Sequence, residues 1–313
     1  MIHPAQAPIV VAVADDHDAA LRYAATEAVR ERRPLRLVHA VPPPRGVVGP
    51  GAVGPETILL TYRAIELVAG DVLQQQYERA VTLVDWNVPV AKVLRRGPVV
   101  DVLLDQSRDA YRLVLQRRHG PQLSRILTGS TAAALAARAP VPVVSVPELW
   151  AGPRAVPHVT VALGERDVEG HCPALLASAF MEAAARHASL TVLHAIYVPV
   201  EYGELALDEA TIQRWHDEAR RQIEDQARTW QQQHPTVDLR IDLRYERPAD
   251  GILAASRHSD LVVVGRRGSH GLVHLGSVVR AVVRGSQCPV MVLTPASREQ
   301  GRRATVEAQA ARL

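Results

Sequence analysis

The chain repeats itself at an offset of about 150 residues. Pro98 of the first half recurs as Pro248 in the second half, and Pro142 recurs as Pro289. Four segments match in the same order and at the same offset. Chance similarity between short apolar strands does not explain so many ordered matches, so we infer a duplication. The matched segments are 9–16 with 158–165, 35–41 with 190–196, 95–104 with 245–254, and 127–146 with 275–293.

Within each half, short apolar runs alternate with longer segments of helical periodicity. The runs are continuously apolar, as strands of a parallel sheet are when helices cover both faces. This alternation predicts a parallel sheet with right-handed crossovers. The strands predicted for the first half are 9–14, 35–41, 88–94, 111–115 and 141–146, and the helices are 17–33, 56–84, 98–109 and 130–139.

The duplication divides the 313 residues into two domains of ordinary size. We expect domains at 1–147 and 158–296, joined by a linker at 148–157 that is rich in proline and glycine. A tail follows at 297–313. The irregular segment 42–55 after the second strand is either a flap over a ligand site or a surface connection without a ligand role.

Composition argues against several classes of function. The net charge is only +3 and Phe180 is the single phenylalanine, so the chain lacks the basic face and the aromatic platforms used to bind nucleic acids. Two cysteines fit a reducing compartment. No apolar run approaches the ~18 residues of a membrane span. We therefore expect a cytoplasmic protein that binds neither nucleic acid nor membranes.

A loop with spaced glycines follows the fourth predicted strand of the second half. Gly265 ends that strand, Gly268 comes three residues later, and Gly276 with Ser277 opens a helix. Glycines let the backbone approach an anion, and the first N–H groups of a helix point at it. The pattern predicts a phosphate site. Arg266 is a candidate to neutralise the phosphate, and the alternative is a solvated loop arginine.

The loop resembles that of the ATP-binding type of universal stress protein. This family carries G-x2-G-x9-G-[S/T], then a helix and a strand that begins near C-P-V, as at 288–290. A histidine closing the second strand, His39 or His194, also matches. The resemblance spans 8–147 and 157–295. It implies an open five-stranded parallel sheet in each half, in the order 3-2-1-4-5 of the adenine-nucleotide α-hydrolase-like fold, with ligands at the switch point between strands 1 and 4.

The two halves depart from the family pattern in different ways. The loop of the second half is two residues shorter than the family spacing. In the first half only Gly129 and Ser130 remain of the motif, because Gln116 and His119 stand where its first two glycines belong. A side chain in place of a loop glycine occupies the space that phosphate needs.

The family also places an aspartate at the end of the first strand, against the adenosine moiety. The first half has Asp15 there, and the sequence match assigns Leu163 to this position in the second half. One half therefore keeps the acid and the other keeps the glycine loop. A lost charge-assisted hydrogen bond costs about 1.5–3 kcal/mol, whereas a lost glycine is also a steric obstacle. We expect the second half to be the better ATP site.

Three functions remain open. The first is a non-enzymatic stress protein that responds to adenine nucleotides. The second is a scaffold that no longer binds nucleotide and acts through an unknown protein partner, and the third is a weak ATP hydrolase. The sequence offers no carboxylate and nucleophile to act with the loop histidines His119, His270 and His274, so we expect no catalysis. It also contains no metal-ligand spacing, so we expect no metal.

The last strand predicted in each half, 141–146 or 289–293, is an apolar edge of its sheet. Universal stress proteins commonly dimerise by pairing their last strands, and an exposed edge invites such pairing. A linker of about ten residues spans about 33 Å when extended. We expect an intramolecular pseudo-dimer with these strands antiparallel and the two clefts related by a pseudo-twofold axis. Further association of two chains into a homodimer stays open.

Overall fold

A computed structural model divides the chain into two compact units, Met1–Gly152 and Pro153–Leu313. The boundary falls inside the segment 148–157 that the sequence predicts as the linker. Most of the segment 42–55 and the tail 297–313 lie outside the described residues. The structure describes residues 6–15, 18–43, 55–117, 131–171, 173–197, 209–266 and 275–294.

The first unit alternates strands and helices as the sequence predicts. Its strands follow the order β3-β2-β1-β4-β5, and all neighbours are parallel. The predicted order 3-2-1-4-5 is confirmed. The elements are β1 Ile9–Ala12, α1 Asp18–Glu31, β2 Leu35–Val41, α2 Pro55–Val84, β3 Val90–Arg96, α3 Val99–Gln106, β4 Arg112–Arg117, α4 131–138 and β5 Val143–Pro147.

The second unit has the same strand order, β8-β7-β6-β9-β10, again with parallel neighbours. It differs by a π-helical turn at Asp167–His171 between its first strand and first helix. The other elements are β6 His158–Leu163, α5 Pro173–Ala185, β7 Ser189–Ile196, α6 Glu209–Gln233, β8 Leu239–Tyr245, α7 Pro248–Ala255, β9 Leu261–Gly265, α8 Ser277–Gly285 and β10 Val290–Leu293.

The central strands are apolar along their whole length because helices cover both faces. In the first unit Val10 and Val11 of β1 are fully buried, and in the second unit Val262 and Val263 of β9 are fully buried. Successive residues of one strand point to opposite faces, so both faces of each sheet are covered at these central strands. The expectation of buried parallel strands is confirmed.

The longest helices, α2 with 30 residues and α6 with 25, cover one side of their own sheets with a single face. On α6 the buried residues recur three or four positions apart, the spacing of one helix face. They are Ala219, Ile223, Ala227 and Trp230. Within the described ranges, no helix is long and apolar enough to cross a membrane.

The segment that follows β5 folds back onto the first helix. The Trp150 ring lies edge-on to the Tyr23 ring, with their centroids 5.4 Å apart. Arg22 Nη2 donates a hydrogen bond to the Trp150 carbonyl at 2.9 Å. Trp150 is therefore packed as part of the first unit, and its side chain is buried.

Candidate functional site

The strand registers show which residues of the two units correspond. Ile9 pairs with Leu35 in the first unit, and Val159 pairs with Leu190 in the second. Because Leu35 and Leu190 begin matched segments, Ile9 corresponds to Val159. The sequence match had aligned Ile9 with His158 and was one residue out of register. The sequence does contain the correct register, because it aligns the apolar Ile9 with the apolar Val159 and not with His158.

A histidine in the second strand of each unit binds a carbonyl at the end of the first strand. The distance from His39 Nδ1 to the Val13 oxygen is 2.8 Å, and that from His194 Nδ1 to the Leu163 oxygen is 2.9 Å. A carbonyl only accepts, so the ring nitrogen donates and Nδ1 carries the proton. Both histidines thus hold the backbone where it leaves the sheet, which is a structural role.

An acidic residue follows this histidine-bound carbonyl in both units. Asp15 lies two residues after Val13, and Glu165 lies two residues after Leu163. The assignment of Leu163 to the position of Asp15 is therefore wrong, because Leu163 corresponds to Val13. Both acidic residues are exposed at the carboxyl end of the first strand. The second unit has kept an acid, longer than aspartate by one methylene.

The two units differ at the end of the fourth strand, where Gln116 corresponds to Gly265. The Gln116 side chain is buried. Its Oε1 accepts hydrogen bonds from the backbone N–H of Ala19 at 3.0 Å and of Ala20 at 3.3 Å. These two groups belong to the first turn of α1, where N–H groups lack partners within the helix and attract anions. The first unit therefore binds its own helix terminus with an oxygen from its fourth strand.

An arginine follows this position in both units. Arg117 and Arg266 are 5% and 8% exposed, so the alternative that Arg266 is a solvated loop arginine is wrong. The backbone N–H of Arg266 donates to the Leu293 carbonyl at 3.0 Å and extends the ladder between β9 and β10 past Gly265. Each unit thus has a buried guanidinium at the carboxyl end of its fourth strand.

Among the described residues, none crowds the N-cap position of α8. Gly276 is the N-cap residue, and Ser277 is the first residue of the helix. Gly276 has φ of −56°, which any residue adopts, and an added Cβ would meet no atom of the described residues within 4 Å. No described side chain caps this helix. The packing of the described residues therefore does not require glycine at this position.

Several predicted residues lie outside the part of the chain that the structure describes. Of the predicted site residues, these are Gly129, Ser130 and Gly268. The loop histidines His119, His270 and His274 are also outside it. The remaining predicted residues divide between the units. Asp15 belongs to the first unit, and the carboxyl end of β9 and the start of α8 carry Gly265, Arg266, Gly276 and Ser277.

The strand order and connections of each unit define a tandem protein of two open, five-stranded parallel α/β sheets. The sequence model of the universal stress protein family matches residues 7–147 and 167–294. The two matches cover most of the chain, one in each unit. The chain therefore belongs to the universal stress protein family.

Individual relatives are similar over nearly their whole length. A universal stress protein of Mycolicibacterium smegmatis is 30% identical over 287 residues, which cover 90% of this chain and 94% of the relative. One from Mycobacterium tuberculosis is 29% identical over 304 residues, or 91% and 95% of the two chains. The crystal structure of a universal stress protein from Archaeoglobus fulgidus gives a TM-score of 0.57 at 17% identity and covers 91% and 96% of the two chains. This last likeness supports the fold.

Loss of the histidine donor is expected to destabilise each unit separately. In His194→Ala the Leu163 carbonyl loses its side-chain donor in a buried setting, which costs about 1–3 kcal/mol. The matched variant His39→Ala should cost less, because His39 is only partly buried. Hydrogen exchange of the β6 and β1 amides, followed by mass spectrometry, reports the two units independently. Unchanged β6 protection in His194→Ala would contradict the structural role.

Proposed function

We propose that this protein is a non-catalytic, adenine-nucleotide-binding member of the universal stress protein family, and that its second unit binds ATP. The observation that carries the proposal is the exchange of Gln116 for Gly265 at corresponding positions. In the first unit a side chain fills this position and caps α1. In the second unit the position carries no side chain.

The second unit combines the groups that an adenine nucleotide needs. Gly265 and Gly276 allow close approach of phosphate, and Ser277 adds a hydroxyl and a free helix N–H. Arg266 supplies positive charge at the end of β9. Glu165 takes the place that the family gives to the acid against adenosine. The resemblance adds Gly268 to the loop.

The first unit is the weaker candidate because its α1 terminus is already satisfied. A ligand that displaced the Gln116 side chain would break two buried hydrogen bonds, each worth about 0.5–1.5 kcal/mol. The buried amide would then need new partners. Asp15, Gly129 and Ser130 would remain as contacts, without the first loop glycines. We infer that this unit has a structural role.

The cellular role follows from these inferences. We propose a cytoplasmic protein that takes part in a stress response by changing its contacts with a protein partner when ATP binds. The scaffold and the ATP hydrolase are the rival functions. A scaffold would not bind ATP, and a hydrolase would release ADP, so one set of measurements separates all three.

Gly276 provides the sharpest test of the nucleotide site. Because a Cβ at Gly276 meets no atom of the described residues, both Gly276→Ala and Gly276→Leu should fold as the wild type does. We expect Gly276→Leu to weaken ATP binding at least about tenfold, or about 1.4 kcal/mol, because its side chain would occupy the phosphate position. Asp15→Ala should matter less. Isothermal titration calorimetry with ATP measures each variant.

The controls for this titration lie in the first unit. Gln116→Gly removes the side chain that caps α1 and should leave binding to the second unit intact. Absence of binding by the wild type at millimolar ATP would support the scaffold, and ADP production during the titration would support the hydrolase. Equal affinity of Gly276→Leu and wild type would place the site elsewhere.

We also propose that the final strands β5 and β10 pair with each other within one chain. Inside its own unit each final strand has a neighbour on one side, β4 or β9. Pairing on the second side would protect all backbone amides of both strands from exchange. Hydrogen exchange of the full chain at increasing dilution tests this. Fast exchange of alternate β5 amides, or protection that is lost on dilution, would contradict it.

A further inference from the structure

A cavity of about 480 Å³ lies in the second unit beside the edge strand β8, and several polar side chains line it. His158 and Ser189, the first residues of β6 and β7, line it. Gly265 is by contrast the last residue of its strand. The cavity begins at the amino-terminal ends of β6 and β7 and extends along the edge strand β8 as far as Arg244, whereas the proposed nucleotide site lies at the carboxyl ends of the central strands. The two sites share no residue.

The His158 ring is held in the wall of this cavity. Its Nδ1 lies 2.8 Å from Ser189 Oγ. The backbone N–H of His158 donates to Asp260 Oδ2 at 2.8 Å, and the backbone N–H of Arg154 donates to Asp260 Oδ1 at 2.7 Å. The buried Asp260 carboxylate is thus committed to the backbone and anchors the start of β6.

The charged groups around the His158 ring are mostly positive. Burial is the main cause that lowers the pKa of His158 below its ordinary value, and Asp260 acts in the opposite direction. Arg154, Arg240 and His258 lower this pKa further. Three of these four charged or titratable neighbours are thus basic, and Asp260 is the one acidic group among them.

The other charges of the cavity divide into paired and unpaired groups. Arg244 donates to Asp242 at 2.7 and 2.9 Å and to Glu246 at 3.2 Å, so its charge is neutralised. Arg240 is exposed on the edge strand β8. Among the described residues, no carboxylate forms an ion pair with it. Asp238 is the remaining carboxylate and is also exposed.

The corresponding place in the first unit is filled by an ion pair. Arg36 Nη1 and Nη2 donate to the two carboxylate oxygens of Asp109 at 2.8 and 2.9 Å. The strand registers relate the residues of the two units. The corresponding positions are Arg36 and Thr191, Asp109 and His258, Pro34 and Ser189, and Ala91 and Arg240. Where the first unit forms the ion pair, the second unit therefore has the Thr191 hydroxyl and the His258 ring, which are hydrogen-bond donors.

We propose that this cavity is a second ligand site of the second unit, which binds the oxyanion group, phosphate or carboxylate, of a small metabolite. Arg240 is the charged contact, because a guanidinium offers a planar pair of donors that matches an oxyanion. Ser189 and Thr191 contribute hydroxyl donors, and His158 and His258 contribute ring donors. The volume falls within the range of small-molecule pockets, about 300–1,000 Å³.

The experiment follows the His158 ring by NMR in the full chain, with the His158→Gln variant to assign its signal. Inorganic phosphate and succinate are titrated separately at constant ionic strength against chloride. We expect a saturable shift and an upward movement of the His158 pKa, because a bound negative charge favours the imidazolium form. Arg240→Gln should weaken binding about 10- to 150-fold, the loss expected for one charge-assisted hydrogen bond.

The matched control is Arg95→Gln, an exposed arginine on β3, the edge strand of the first unit. It should leave the His158 response unchanged, and so should Gly276→Leu, since Gly276 does not line the cavity. A response to phosphate alone would identify a phosphate ligand, and a response to succinate alone a carboxylate. A wild-type shift no larger than that with chloride, or equal affinity in Arg240→Gln, would overturn the proposal.

Discussion

Parallel pairing of the strands within each unit is the constraint on which the remaining structure depends. Parallel neighbours need a crossover between them, so helices cover both faces and the strands become apolar throughout. The same pairing collects all carboxyl ends at one edge of the sheet. That edge carries the carbonyls bound by His39 and His194, the acids that follow them, and the start of α8 in the second unit. The cavity beside His158 begins at the opposite end of the strands and extends along β8, and it shares no residue with the proposed nucleotide site.

Duplication has left two units with one fold and different uses of it. At corresponding positions, Gln116 supplies an oxygen to the N-terminus of α1, and Gly265 supplies nothing. At the other edge the first unit closes on the ion pair of Arg36 with Asp109, while the second leaves Arg240 available. In both places the first unit satisfies its polar groups internally, and the corresponding places in the second unit are those proposed as ligand sites. In the proposed function, the first unit stabilises the protein and the second unit binds the nucleotide.

Sequence patterns predicted the architecture well and the site only in part. Continuous apolar runs identified the strands, and the spaced glycines led to the start of α8. The cap formed by Gln116 joins residues 97 positions apart, and no local pattern reveals such a contact. The acid at Glu165 was missed because the position of Asp15 was assigned to Leu163, which lies two residues before Glu165 and corresponds to Val13. The burial of Arg266 depends on how other parts of the unit pack around the end of β9. The local sequence of the loop does not reveal that packing.

The central claim is that one of the two units binds ATP. Native mass spectrometry of the full chain, purified gently and then equilibrated with ATP, counts the bound nucleotides directly. The account predicts one adenine nucleotide per chain, with the Gly276→Leu variant carrying none and the Gln116→Leu variant still carrying one. Two nucleotides per wild-type chain, or one that is lost in the Gln116 variant and kept in the Gly276 variant, would contradict it.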